Sequence, residues 1–348
     1  MHFMLKQIMK KYRAAVIGTG RIGFSLENDG LREQPASHAS ALSGHPSVTL
    51  AAGCDIDPVN LKAFHKKYPH TNIYSDADML MRQEKPDLVS VAVDESAHLK
   101  IMETICVHRP GLVILEKPVA PNTKDAKKIS AICRRFHVPV CINHERRFSI
   151  DYMEARKLLA KGRIGIIHSV RANLWGGGTV WKDSARKDGT CSLLHDGTHL
   201  VDILRFLLGK ELVKAHVDHY TKNKKGDIDS LYCRLTAGKV LVNLEFCGNK
   251  RAFDFGMEFS GSKGKLAIGN GFFRVYTSKP SPYYSGFHSL ARDRNVKRPF
   301  KTGYFRNMVS NCVDFLDGKN KLNSTLEEGL KTLSILYNIA DLITGCKK

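Results

Sequence analysis

The chain has 348 residues, 43% hydrophobic and 25% charged, with a formal net charge of +20 at pH 7. That length favours two domains, each large enough for its own core, and no apolar run approaches the roughly 20 residues of a helical membrane span. The charge makes the chain a sink for anions, but its basic residues are spread out, with only short runs such as Lys222-Asn223-Lys224-Lys225. This pattern favours a large anionic substrate and a solvated basic surface over nucleic acid or a membrane.

Residues 1–12 read as a basic tail, because Lys6, Lys10 and Lys11 interrupt any signal-like apolar core. Nine cysteines, at 54, 106, 133, 141, 191, 233, 247, 312 and 346, form no CxxC pair and sit mostly in apolar segments. Buried thiols in a reducing cytoplasm are therefore expected, without a disulfide framework or zinc site.

The first element is an apolar strand, Ala14–Ile17, that runs into Gly18-Thr19-Gly20-Arg21-Ile22-Gly23. In this spacing Gly18 permits a tight turn, Gly20 lets the backbone approach a pyrophosphate, and Gly23 lets a following helix pack closely. The amide end of that helix would face the phosphates. Arg21 lies inside the turn and could contact the pyrophosphate or a 2′-phosphate. The polar insert Asn28–Ala41 lengthens the first crossover. The strand Val48–Cys54 then delivers Asp55, placed to accept hydrogen bonds from ribose hydroxyls and so to favour NAD, with NADP still possible.

Strand and helix signals continue to alternate: helix Asn60–Tyr68, strand Asn72–Tyr74, helix Asp76–Gln83 capped by Ser75, strand Leu88–Val93, helix Ala97–Val107, and strand Leu112–Leu115. The last strand brings Glu116-Lys117-Pro118 to the carboxyl edge. Helix Lys124–Phe136, with Thr123 as its cap, and strand Val138–Ile142 complete a doubly wound α/β unit of about six strands. A second domain follows over 143–348. Its strands are Ile166–Leu174, Val213–Tyr220, Ser230–Cys247 and Phe253–Phe259, with a hairpin over Gly264–Val275. Helical spacing marks Gly197–Leu208 and Leu326–Thr344, the second preceded by a Thr325/Glu328 capping box.

The motifs Gly18-Thr19-Gly20-Arg21-Ile22-Gly23, Cys54-Asp55-Ile56-Asp57-Pro58, Glu116-Lys117-Pro118, Arg147-Phe148 and Gly197-Thr198-His199-Leu200-Val201-Asp202 resemble, in order, those of the Gfo/Idh/MocA oxidoreductases. The resemblance covers nearly the whole chain. It implies a Rossmann domain, an α/β domain with an open, largely antiparallel sheet, and a homodimer or homotetramer. It also implies NAD(P)-dependent oxidation or reduction of sugars, cyclitols or nucleotide sugars.

Residue by residue, Lys117 matches the family's central catalytic lysine and His199 its active-site histidine. Lys117 can stabilise a developing alkoxide, and His199 can take the hydroxyl proton. His195 stands where many members carry an aspartate, so an imidazole replaces a carboxylate in the catalytic relay. Asp202 could orient His199 or cap its turn. His195 and His199 are four residues apart, as in a metal-binding helix, yet no glutamate follows the first and Gly197 intervenes, so no metal is expected. The family's usual Thr-Pro beside the nicotinamide is replaced by Val93-Asp94, with His98 retained. Glu116 completes the cofactor side. Arg147, Trp175 and Trp181 are expected to meet substrate. The segments 175–187 and 287–304 add basic and aromatic groups suited to a diphosphate and a sugar face. A UDP-N-acetylhexosamine oxidised at its 3-position is the specific expectation; inositol or a free sugar, or a dinucleotide-sensing protein without turnover, are the alternatives.

Overall fold

The computed structural model describes residues 11–176, 178, 180 and 192–344. The chain divides into two compact units. One gathers the chain up to Ala120, Lys124–Glu145 and Gly303–Leu326; the other gathers Pro121–Thr123, Arg146–Thr302 and the chain from Glu327. The segment 303–326 thus belongs to the first unit.

In chain order the elements begin β1 (Tyr12–Ile17), α1 (His38–Ser43), β2 (Val48–Cys54), α2 (Pro58–Lys67), β3 (Asn72–Tyr74), α3 (Ala77–Glu84), β4 (Leu88–Val91), α4 (His98–Cys106), β5 (Leu112–Leu115), α5 (Thr123–Phe136) and β6 (Val140–Ile142). The strands form one parallel sheet ordered β3-β2-β1-β4-β5-β6. Every residue of β4, β5 and β6 is buried. Strands covered on both faces explain the unbroken apolar runs. The strand order reverses between β1 and β4, which opens a crevice at their carboxyl ends.

The remaining elements are α6 (Ile150–Ala160), β7 (Ile167–Trp175), α7 (Ser192–His195), α8 (Gly197–Leu208), β8 (Val213–Lys222), β9 (Ile228–Ala237), β10 (Val240–Cys247), β11 (Asp254–Gly261), β12 (Gly264–Gly269), β13 (Phe272–Pro280), β14 (His288–Arg292), α9 (Tyr304–Leu316) and α10 (Leu326–Thr344). The eight strands form a second sheet, ordered β14-β13-β12-β11-β7-β10-β9-β8. Only β7 and β10 pair in parallel; every other neighbouring pair is antiparallel. Of the apolar residues at helical spacing along α10, Leu333, Leu336, Ile339 and Ile343 are buried and Leu330 is half-buried.

Several expectations need correction. No long helix follows the glycine turn: the chain makes one turn, then a 3-10 segment at Ser25–Asn28, and α1 begins only at His38. Asp29-Gly30 and Pro35 interrupt any helix here. Ser37 caps α1 by accepting the Ser40 N–H at 3.2 Å. The cap of α3 is Asp76, whose carboxylate accepts the Met79 N–H at 2.7 Å, in place of Ser75. Strand β4 stops at Val91, and Val93 lies in the bend beyond. Elements α6, β14 and α9 are not in the sequence reading. The Glu328 carboxylate also meets Arg147 and Arg205, a contact that the sequence reading did not include.

Candidate active site

In the first unit the glycine turn follows β1 directly. Gly18 has φ +92°, and a Cβ there would lie 2.7 Å from the Ala92 carbonyl. A Cβ at Gly23 would fall 1.8 Å from the Gly18 oxygen. Gly20 differs, because its only near neighbour among the described residues is Asn60 Nδ2 at 3.7 Å. The fold demands Gly18 and Gly23, and it leaves space over Gly20.

The Phe24 and Ser25 amides bond to the Gly20 oxygen, and Leu26 to the Arg21 oxygen. The amides of Gly20, Arg21 and Ile22 have no protein acceptor among the described residues. An open glycine beside unclaimed amide donors is a nest that suits a pyrophosphate. Asp55 braces this nest from the end of β2. Its Oδ2 accepts the Thr19 N–H at 2.8 Å and Asn60 Nδ2 at 3.2 Å, and its Oδ1 accepts the Asp57 N–H at 3.0 Å. The carboxylate keeps acceptor capacity for a ribose hydroxyl. These residues fit an NAD group.

Beyond β4, exposed Asp94 accepts the Ser96 N–H and hydroxyl at 3.0 and 2.5 Å, fixing a tight turn. His98 is fully buried, with Nδ1 3.0 Å from the Val119 oxygen and Nε2 3.2 Å from the Val93 oxygen. Burial pushes this imidazole below its ordinary value, outweighing the carbonyl bonds and the charges of Glu116 and Asp94. His98 thus stitches the Val93 bend to the segment after Lys117, a structural place rather than an open ligand position.

Lys117, half-buried, follows β5 at the same carboxyl edge, before a cis Pro118 peptide. Its neighbour Glu116 is buried. Burial raises that carboxyl, but the hydrogen bond and charge of His38, the Lys117 charge and the Asn143 hydrogen bond outweigh it and hold the group at about 2.

In the second unit α7 ends at His195 and α8 starts at Gly197, so the two histidines do not share one continuous helix. The His199 N–H bonds to the Asp196 oxygen at 2.9 Å, and the His195 and His199 side chains are half-buried. Asp202, one turn after His199, is committed elsewhere: it accepts Arg147 Nε and Nη2 at 2.8 and 2.7 Å and the Thr332 hydroxyl at 3.3 Å.

This geometry removes Arg147 from its expected place against substrate. The guanidinium is 4% exposed and also binds Glu328 at 2.7 Å. A planar fork filled by two carboxylates is a brace for α8. Trp175 ends β7 with Lys250 Nζ 5.1 Å from its ring centre, and its Nε1 has no partner among the described residues. Trp181 lies outside the described residues. Sequence reasoning missed His38 and Asn143, both buried beside Glu116; only their position in otherwise apolar surroundings could have marked them.

A sequence model of the oxidoreductase family with an NAD-binding Rossmann fold matches residues 12–144, and one of the GFO/IDH/MocA C-terminal domain matches 152–267. The D-glucoside 3-dehydrogenase of Escherichia coli (strain K12) is 26% identical over 208 residues, 58% of this chain and 56% of that protein. The myo-inositol 2-dehydrogenase of Thermotoga maritima is 24% identical over 271 residues, 74% of this chain and 75% of that protein. For several such relatives the match spans about half their length. The solved WlbA dehydrogenase from Bordetella pertussis, in complex with NADH and UDP-GlcNAcA, shares the fold with a TM-score of 0.77 at 20% identity, over 97% of this chain and 96% of that one.

Proposed function

We propose that this chain, which belongs to the Gfo/Idh/MocA oxidoreductases, is an NAD-dependent dehydrogenase that oxidises a secondary hydroxyl of a sugar or polyol to a ketone. The observation that carries the reading is the pairing, at one carboxyl edge, of an open phosphate nest at Gly20–Ile22 with Lys117. When bound, nicotinamide supplies the hydride acceptor. Gly20, Arg21, Ile22 and Asp55 would hold the dinucleotide, with Val93, Asp94 and Glu116 nearer its reactive end. Lys117 donates to the substrate oxygen and stabilises the negative charge that develops on it. His199 accepts the hydroxyl proton, and His195 serves the place of the usual aspartate in that relay. Holding the reacting groups in register supplies much of the rate.

Within that reading the substrate is a UDP-N-acetylhexosamine, oxidised at the 3-position. The +20 charge and the cations Arg292, Arg294, Lys297, Arg298 and Lys301 favour a diphosphate, and the WlbA neighbour was solved with a UDP sugar. A free sugar or inositol is the second reading, supported by the names of the Escherichia and Thermotoga relatives. A panel of myo-inositol, free hexoses, glucosides and UDP-sugars, followed by NADH absorbance, separates them. Turnover confined to UDP-sugars is expected. Turnover confined to uncharged polyols would transfer the substrate to the second reading, and tight NADH binding without turnover across the panel would favour a dinucleotide sensor.

A further inference from the structure

The carboxyl edge of the parallel sheet holds a buried polar cluster that substrate and cofactor binding leave unexplained. His38 opens α1 and is fully buried, with Nε2 2.7 Å from Glu116 Oε1. The same oxygen accepts Asn143 Nδ2 at 2.5 Å. Nothing described here partners His38 Nδ1, so Nε2 is the ring nitrogen that donates, and Glu116 accepts its hydrogen. The edge of the imidazole is closed by Phe305, 5.2 Å between ring centres.

The backbone around this ring reaches both halves of the cofactor edge. The His38 and Ala39 amides bond to the Ile22 and Gly23 oxygens of the glycine turn, at 3.2 and 3.0 Å. On the other side, Glu116 Oε2 accepts the Lys117 N–H at 3.3 Å. One imidazole therefore joins the phosphate nest to the peptide that carries the lysine. Asn143, just past β6, ties the next strand into the same carboxylate.

We infer that His38, assisted by Asn143, is a positioning residue: it clamps Glu116, fixes the Lys117 peptide through it, and couples the lysine to the phosphate-binding turn. The inference rests on Lys117 being the site's lysine, as proposed above. Burying an ionised carboxylate is expensive, and apolar residues of similar volume would fill this space at least as stably. A directional clamp on the neighbouring residue is what the polar cluster adds.

The test reads Lys117 directly, without turnover. Full-length native protein and the variants His38→Ala, His38→Gln and Asn143→Leu are labelled competitively with acetic anhydride. The acetylation of Lys117 is then compared by peptide mass spectrometry with that of exposed Lys127. In folded His38→Ala the Lys117 to Lys127 ratio should change about fivefold or more, the effect of roughly 1 kcal/mol at the amine. His38→Gln, whose amide can donate to Glu116 in place of Nε2–H, should return the ratio to within about twofold of native, that is, inside the spread of an unperturbed site. Asn143→Leu keeps the volume and removes one donor, so it should shift the ratio in the same direction by less, and it carries the test if His38→Ala does not fold. An unchanged ratio in a folded variant would overturn the clamp, as would a Gln variant no better than Ala. Because the readout is independent of activity, absence of turnover in the native enzyme would count against the proposed function and leave the clamp standing or falling by itself.

Discussion

Gly18 and Gly20 stand two residues apart in the same motif but answer to different neighbours. Gly18 is fixed by a positive φ and by the Ala92 carbonyl, and Gly23 by the Gly18 oxygen, whereas a Cβ at Gly20 would meet, among the described residues, only Asn60 Nδ2 at an ordinary contact distance of 3.7 Å. Gly18→Ala and Gly23→Ala should therefore lower stability by more than about 1 kcal/mol. Gly20→Ala should melt like the native protein yet weaken NADH binding about tenfold or more, or about 1.4 kcal/mol, as followed by NADH fluorescence. Glu116 supplies a second residue-scale test. Its folded value of about 2 lies below the ordinary 4.5, so its contribution is complete above the ordinary value and is lost as pH falls through the folded one. The stability difference between native protein and Glu116→Gln, measured by urea denaturation, should thus shrink steadily as pH falls from 4.5 to 2. The glycine turn, Asp55 and Glu116-Lys117-Pro118 are legible in the sequence because each is a local pattern. The role of His38 is not, since its partner Glu116 lies 78 positions away.

At the scale of elements, α8 shows where local pattern stops. Its span, Gly197–Leu208, and its closing Gly209 follow from apolar spacing, but what holds its buried face does not. Arg147 reads as a substrate arm until its partners, 55 and 181 positions away, are in place. The first crossover fails for a related reason. Glu27 accepts the Ala36 N–H and the Ser37 and Ser40 hydroxyls, at 3.0, 3.2 and 2.8 Å, which folds the polar insert into a loop ahead of α1. Removing one partner of the α8 brace leaves a buried charge, so Arg147→Met or Asp202→Leu alone should cost about 3–5 kcal/mol. The double variant should recover much of that loss. Chemical denaturation of the four proteins measures the coupling, and additive losses would show that the two residues do not act as a pair.

For the whole molecule, alternation of strand and helix signals gave the six-stranded parallel sheet, and β-branched runs gave most of the larger sheet. Two β-periodic runs became one misjudged segment at Ser230–Cys247, because the turn at Gly238 joins strands of equal character. The glycine turn and the lysine at the carboxyl edge were legible as local patterns; the substrate was not, because a spread of cations records charge without shape. The central claim is that Lys117 and His199 act on a hydroxyl whose hydride leaves for NAD. Its most direct test is the steady-state rate of NADH formation, on the best substrate of the panel, by the native enzyme, Lys117→Ala and His199→Ala. Each variant is expected to lose about 100-fold or more in kcat, the scale of a lost charge-stabilising or acid–base group, with NADH affinity changed far less. Full turnover by either variant would contradict the account.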